Sequence, residues 1–322
     1  MGYPDFVCMG FQKCGTTTLF EILRQHPQVA LCRDVKEPML YRVPILGTLL
    51  GGHRYYKRRY FGHIPEGDPR LLGEVNAGLT FRNCAKRLGR NLSPDTKMIF
   101  MMRNPADRSY SAYKYFMGRG FFPASVLRYD RKHGHAAGFD HYVHSVLDNP
   151  RRRAKVMWNR TKYISLSQSR YGACIRDYLE KFKPENMKFI VFEEFIRDEE
   201  KACRELYEFL GLQDAPGIHY NVKSNEGKDR PVSPFRTKVF MIVKGINYFL
   251  YDFCAMSHWA PELYRKFNRL YRKTRDRSLE EDPDRSRMLP ETRAYLMQYF
   301  DADIRETERL TGRNLRGIWN CE

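Results

Sequence analysis

The run Gly10-Phe11-Gln12-Lys13-Cys14-Gly15-Thr16-Thr17-Thr18-Leu19 gathers one ammonium, one thiol and three hydroxyls around two glycines. An apolar run, Phe6 to Met9, precedes it, and an amphipathic segment, Leu19 to Leu23, follows. The order is strand, glycine-bounded loop, helix. Backbone N–H groups at such a helix start form an anion site, and the helix dipole adds to it. Gly10 and Gly15 let the chain turn tightly and approach a phosphate closely. They keep the G-x-x-x-x-G spacing of a Walker A loop, but Thr16 stands where the Walker lysine belongs. The lysine here is Lys13, before the second glycine.

A second group of candidate residues lies between Met98 and Ser111. Arg103 ends the continuous apolar run Lys97 to Met102, which has the pattern of a buried parallel strand. Open α/β sheets bind ligands at such strand ends. Asn104-Pro105 reads as a helix N-cap followed by its first residue. Ser111 then falls roughly two turns into the helix and can face the strand end. A guanidinium grips a phosphate bidentately, and a nearby hydroxyl adds a short donor. Taken alone, Arg103 reads equally as the partner of an acid, and Ser111 as an ordinary helix serine. Two anion sites on neighbouring strand ends suggest one ligand with two separated phosphate-type groups.

The elements that position these residues follow from periodicity. Strands are expected at Phe6 to Met9, Val29 to Leu31, Leu71 to Val75, Lys97 to Met102 and Lys188 to Phe192. Helices are expected at Thr16 to Gln25, Tyr55 to Phe61, Arg170 to Phe182, from Asp198 to Gly211, and at Pro290 to Thr311 with Gly312 as the stop. The segment from His219 to Phe235 reads as a long loop. The alternation of strand and helix predicts a three-layer α/β fold, with helices on both faces of a parallel sheet and a helical C-terminal part. A single domain over 1–322 is expected, with a donor-binding core over 1–235 and helices over 236–322.

The composition suits an anionic partner. Of 322 residues, Lys and Arg number 56 against 38 Asp and Glu, giving +18. Clusters fall at His53 to Arg59, Arg151 to Lys155 and Arg265 to Arg277; each alone also reads as a solvated face. The eight cysteines show no C-x-x-C and no metal-ligand spacing, which suggests a reduced compartment and no metal. The N-terminus reads as having no signal peptide and no myristoylation signal. A cytoplasmic location is expected if the chain is complete, and the Golgi lumen if it is a trimmed eukaryotic piece. Val239 to Met256 contains Lys244, Asn247 and Asp252, too polar for a membrane span, and reads as a core or interfacial helix.

Lys13-Cys14-Gly15-Thr16-Thr17-Thr18 resembles the 5′-phosphosulfate loop of sulfotransferases, and Arg103 to Ser111 resembles their 3′-phosphate motif. Lys36-Glu37-Pro38 is similar to the segment that carries the catalytic glutamate in the carbohydrate, heparan sulfate-type branch and its bacterial relatives. Tyr55 to Phe61 and Gly73-Glu74-Val75-Asn76 resemble that branch's acceptor-cleft segments, and Leu289 to Trp319 its bacterial closing helix. The resemblance is weakest at 119–159 and 235–279.

The resemblance implies the donor 3′-phosphoadenosine 5′-phosphosulfate, the product 3′-phosphoadenosine 5′-phosphate, a P-loop-like fold and metal-free transfer of a sulfuryl group to a hydroxyl on a glycan; the basic excess would suit an acidic one. It makes Lys13 the group that stabilises the leaving oxygen and Glu37 the general base; without it Glu37 is a loop acid. Cys14, Gly15, Thr16, Thr17 and Thr18 would hold the 5′ end, and Arg103 and Ser111 the 3′-phosphate. Lys223, Lys228 and Arg230 would close over the nucleotide, in a loop without the cysteines many animal members have there. Tyr171, with Ser169, either covers the adenine or caps and packs a helix. Lys36, Glu74 and Asn76 would touch the acceptor. Glu74 also reads as a second base or as one half of an ion pair at the sheet edge. His53 and His63 sit in no matching motif, and Cys14 reads as a small residue more than an activated thiol.

Other readings are a small-molecule or lipid acceptor, with peripheral membrane contact by the Val239 to Met256 helix, and a P-loop kinase. A nucleic-acid-binding module is a third, and no motif for it is present. The kinase reading predicts a Walker lysine, which the chain lacks, and a magnesium requirement.

Overall fold

The computed structural model describes residues 4–32, 37–38, 52–81, 83–118, 122–157, 163–221, 230–231, 233–250, 260–280, 284 and 286–319. Lys36, Lys223 and Lys228 lie outside them, as does most of the expected loop at 219–235.

Residue contacts divide the chain into two units. The first comprises Met1–Arg108, Gln168–Asn225 and Tyr299–Glu322; the second comprises Ser109–Ser167 and Glu226–Gln298. The chain therefore passes between the units four times.

The first unit holds a five-stranded parallel sheet flanked by helices. Its strands are β1 (Phe6–Gly10), β2 (Val29–Leu31), β3 (Leu71–Val75), β4 (Lys97–Met102) and β5 (Met187–Val191), in the spatial order β2-β3-β1-β4-β5. Every residue of β1 is buried, as are Met98 to Met102 of β4. Burial on both faces is why these strands read as unbroken apolar runs instead of alternating ones. Registers Phe6↔Gly73 and Phe6↔Lys97 set β1 between β3 and β4. From β1 the chain goes outward to β2 and back to β3 on one side, then crosses to β4 and β5 on the other. The order reverses at β1, so the loops after β1 and β4 leave side by side, which is where such sheets take ligands.

Local chemistry sets the ends of the helices. Asn104 Oδ1 accepts from Ala106 N at 3.0 Å and from Asp107 N at 3.2 Å, starting the helix Pro105–Met117. Asp198 accepts from Lys201 N at 2.9 Å and caps Glu199–Leu210, which Gly211 ends. The expected helix over Tyr55 to Phe61 is one α-turn, Gly52–Tyr56, continued as a π-helical turn, Lys57–Phe61. Phe192 belongs to a helix, Phe192–Arg197, and not to β5; Glu193 and Glu194 in its first turn suit a helix start.

In the second unit, the helix Ala124–Leu147 kinks at Gly134. There His135 Nδ1 lies 2.9 Å from Asp130 Oδ2, which also accepts from the Tyr113 hydroxyl at 2.8 Å. Helices Pro234–Tyr248 and Pro261–Ser278 pack together, with the Phe240 and Tyr271 rings 6.0 Å apart. Two residues expected in a loop, Arg230 and Pro231, form β6, paired antiparallel with β7 (Leu279–Glu280).

Candidate functional site

The loop after β1 turns through two left-handed residues, Lys13 (φ 74°) and Gly15 (φ 86°). Glycine tolerates that conformation; at Lys13 it costs on the order of 1–3 kcal/mol, which the surrounding contacts must offset. A Cβ on Gly10 would lie 2.3 Å from Thr16 Cγ2, and one on Gly15 would lie 2.8 Å from the Phe192 ring. Both glycines are therefore required for the helix Thr16–Leu23 to begin against the strand end. A helix start of this kind offers backbone amides to anions.

Two arginines brace the loop from the β4 side. Arg103 donates from Nη1 to the Lys13 carbonyl at 3.2 Å, and its guanidinium lies 4.6 Å from the Phe192 ring centroid. The two sequence motifs thus meet: the second motif's arginine holds the first motif's lysine by its backbone. Arg103 Nε is buried and has no partner among the described residues. Arg108 is fully buried, donating to Ser169 Oγ at 2.5 Å and to the Gln12 carbonyl at 3.2 Å.

Cys14 and Tyr171 lie within this packing. Burial pushes the Cys14 thiol up to about 12, against the lowering pull of Arg108 and Arg103. At neutral pH it is an un-ionised small side chain, consistent with a space-filling residue and not an activated nucleophile. Tyr171 is buried beneath the loop: its ring lies 4.4 Å from that of Phe11, and its hydroxyl donates to the Arg103 carbonyl at 2.6 Å. Ser169 Oγ, besides receiving Arg108, donates to the Pro105 carbonyl at 2.9 Å.

A buried carboxyl occupies the other side of β1. Glu74 Oε1 accepts from Asn76 Nδ2 at 2.6 Å, and Oε2 accepts from the Tyr56 hydroxyl. Asn76 Nδ2 also donates to the Pro38 carbonyl at 2.8 Å, which fastens the Glu37-Pro38 segment beside the end of β3. Burial raises Glu74 to about 7, hydrogen bonds from Tyr56 and Asn76 oppose the rise, and the nearby Glu37 carboxylate adds to it. The structure therefore brings Glu37, Glu74 and Asn76 together. Among the described residues, Glu74 is hydrogen-bonded to neutral groups and forms no ion pair.

Ser111 is half-buried on the helix Pro105–Met117 and belongs to the second unit, as does Arg230, whose backbone lies in β6. Several residues that shape the site escape sequence reading. Arg108 sits inside the second motif, where only its position four residues after the Asn104 cap hints at an inward face. Phe192 supports both Gly15 and Arg103. Trp319 donates to Glu193 Oε2 at 3.0 Å, and Glu193 Oε1 accepts from Asn104 N at 2.9 Å.

The family described as "Sulfotransferase domain" matches residues 3–239. The chain is 27% identical over 146 residues to the membrane-associated sulfotransferase kil1 of Dictyostelium discoideum, covering 45% of this chain and 28% of that protein. It is 22% identical over 243 residues to the bifunctional heparan sulfate N-deacetylase/N-sulfotransferase of Drosophila melanogaster, covering 68% of this chain and 21% of that protein. The chain thus spans less than a third of the length of these curated relatives. A solved sulfotransferase from Alicyclobacillus acidocaldarius matches with a TM-score of 0.57 over 99% of each chain at 21% identity, a likeness of fold.

Proposed function

The chain belongs to the sulfotransferase domain family and is a sulfotransferase; on that premise we propose that it moves a sulfuryl group from 3′-phosphoadenosine 5′-phosphosulfate to a hydroxyl of a glycan. The observation that carries this reading is the contact between Arg103 and the Lys13 carbonyl, which joins two anion-binding motifs at adjacent strand ends. Three features support the fit to such a donor. Gly10 and Gly15 let the loop turn tightly against Thr16 and the Phe192 ring, where a Cβ would collide. Arg103 keeps a buried, unpartnered Nε. The available groups are helix-start amides, hydroxyls and cations, all suited to phosphate and sulfonate oxygens.

The donor, when bound, supplies the sulfuryl group and a nucleotide leaving group. Amides and side chains from Cys14 to Thr18 bind its 5′ end, and Lys13 neutralises charge growing on the bridging oxygen. Arg103 binds the 3′-phosphate, with Arg108 and Tyr171 holding the loop from beneath. Glu37 takes the acceptor's hydroxyl proton, and Glu74 and Asn76 hold the segment that carries it. Lys36, Ser111, Lys223, Lys228 and Arg230 keep the roles that the resemblance implies. The glycan assignment draws on the heparan sulfate relative and on the charge of +18.

The test offers donor labelled in its sulfuryl group to glycans, phenols and lipids in the presence of chelator. Label should enter a glycan, Lys13→Ala should lower turnover about a hundredfold or more, and Glu37→Gln should lose turnover while still binding the desulfated nucleotide. Absence of any transfer to glycans, or near-normal turnover by Lys13→Ala, would overturn the reading.

A further inference from the structure

Helix Pro234–Tyr248 and the turn after it carry large apolar side chains on the outside. Phe235 is 76% exposed and Ile242 64%, and Val239, Ile246 and Phe249 are exposed as well. Their spacing of four, three, four and three residues puts all five within about 80° of the helix surface, along about 21 Å. On the same helix Phe240 is 2% exposed, turned toward Tyr271 of Pro261–Ser278. The helix therefore has one apolar side for its neighbour and a second that this neighbour does not cover. The neighbour itself exposes Leu263 and Leu270.

Charge decides what fits this stripe. Pro234–Tyr248 carries Arg236, Lys238 and Lys244 and no acid; Pro261–Ser278 carries seven basic side chains against Glu262 and Asp276. Lys266, Lys273 and Arg277 follow the spacing of Leu263 and Leu270 along the exposed side. A second copy of the chain would set ten cations against ten, which opposes self-association through this face. A glycan offers no apolar surface to cover five large hydrophobic side chains. The sequence from Tyr248 to Trp259, which joins the two helices, contains five aromatic residues (Tyr248, Phe249, Tyr251, Phe253 and Trp259), the type that favours a membrane–water boundary. Among the described residues, no helix is long and apolar enough to cross a membrane.

We propose that this helix pair is a docking surface for an anionic lipid membrane, with the stripe from Phe235 to Phe249 entering the headgroup boundary and the flanking lysines and arginines facing lipid phosphates. Apolar insertion and electrostatic attraction each contribute to such binding, so both should be separately removable.

The experiment is co-sedimentation of the full chain with phosphatidylcholine vesicles, with and without phosphatidylserine. Binding should require phosphatidylserine and weaken as salt rises. Ile242→Asp with Ile246→Asp should abolish it, and Lys266→Glu with Lys273→Glu should weaken it at least about tenfold. Circular dichroism and kcat with a soluble acceptor should stay unchanged in both variants. For the wild-type chain, the dependence of binding on phosphatidylserine and on salt is a readout that needs no variant to fold. The proposal fails if anionic vesicles do not bind at low salt or if the isoleucine variant binds as before. It also fails if size-exclusion shows a wild-type dimer that the isoleucine substitutions split, which would make a second copy the occupant.

Discussion

Glu74 owes its raised value to its surroundings: burial disfavours the carboxylate, and the Tyr56 hydroxyl and Asn76 amide only partly restore it. Glu37, Cys32 and Tyr178 are the other titratable groups coupled to it. The folded value of about 7 lies above the ordinary 4.5, so the folded state holds this proton more tightly than the unfolded chain does. The contribution to stability is therefore complete below about pH 4.5, declines as pH rises, and is gone above about pH 7, a loss on the order of 3 kcal/mol. Glu74→Gln keeps the shape without the titration. Urea denaturation at pH 5 and pH 8 should show a smaller fall in stability for this variant than for the wild type. Equal falls would mean that another group titrates. Lys13 presents the opposite economy. Its backbone is held in a disfavoured conformation, and the Arg103 bond to its carbonyl is one of the contacts that fixes it there.

Strands and caps were legible because their causes are local. β2, β3 and β4 have the bounds expected of them, Val29–Leu31, Leu71–Val75 and Lys97–Met102, and the helices starting at Pro105, Glu199 and Pro290 start where Asn104, Asp198 and Pro290 indicate. The first helix ends at Leu23, before the expected Gln25, because Gln25 N bonds back only three residues, to the Ile22 carbonyl at 3.0 Å. Lys13, Arg103 and Glu74 stand out as candidates because motif spacing and strand ends are written in the chain. What the sequence hid is held by contacts between distant segments. Arg108 reaches Gln12 across 96 positions, and Asn104 meets the Trp319 carbonyl across 215. The division into two units was hidden for the same reason, since each is assembled from separated stretches. The short helix Leu315–Trp319 makes this testable. Trp319 is buried, its indole bonds Glu193, and Glu193 in turn fixes Asn104 at the head of the Arg103 motif. Trp319→Ala should cost about 3–5 kcal/mol in a denaturant titration and weaken binding of the desulfated nucleotide in calorimetry. Loss of stability with unchanged nucleotide affinity would confine Trp319 to packing.

Across the whole molecule, the excess of 56 basic over 38 acidic residues is too large to be spent on the ion pairs of the described residues. Many of those pairs are exposed, such as Arg204 with Glu200 and Arg305 with Asp301, and exposed pairs contribute little to stability. A field of this sign acts instead on anionic molecules at a distance, raising their rate of encounter, and salt screens it within about 10 Å at ordinary ionic strength. The donor inferred for this enzyme is strongly anionic, and an acidic glycan would be as well. Under the proposed function, in which Lys13 and Arg103 contact the donor, chemistry at the bound site should be far less exposed to screening. Raising the salt from about 0.05 to about 0.5 M should therefore lower kcat/KM for an acidic acceptor about tenfold or more while changing kcat little. A neutral acceptor with the same sulfated position should show a smaller fall. If kcat drops in parallel with kcat/KM, the excess charge is supporting the catalytic step or the fold, and steering is not its role.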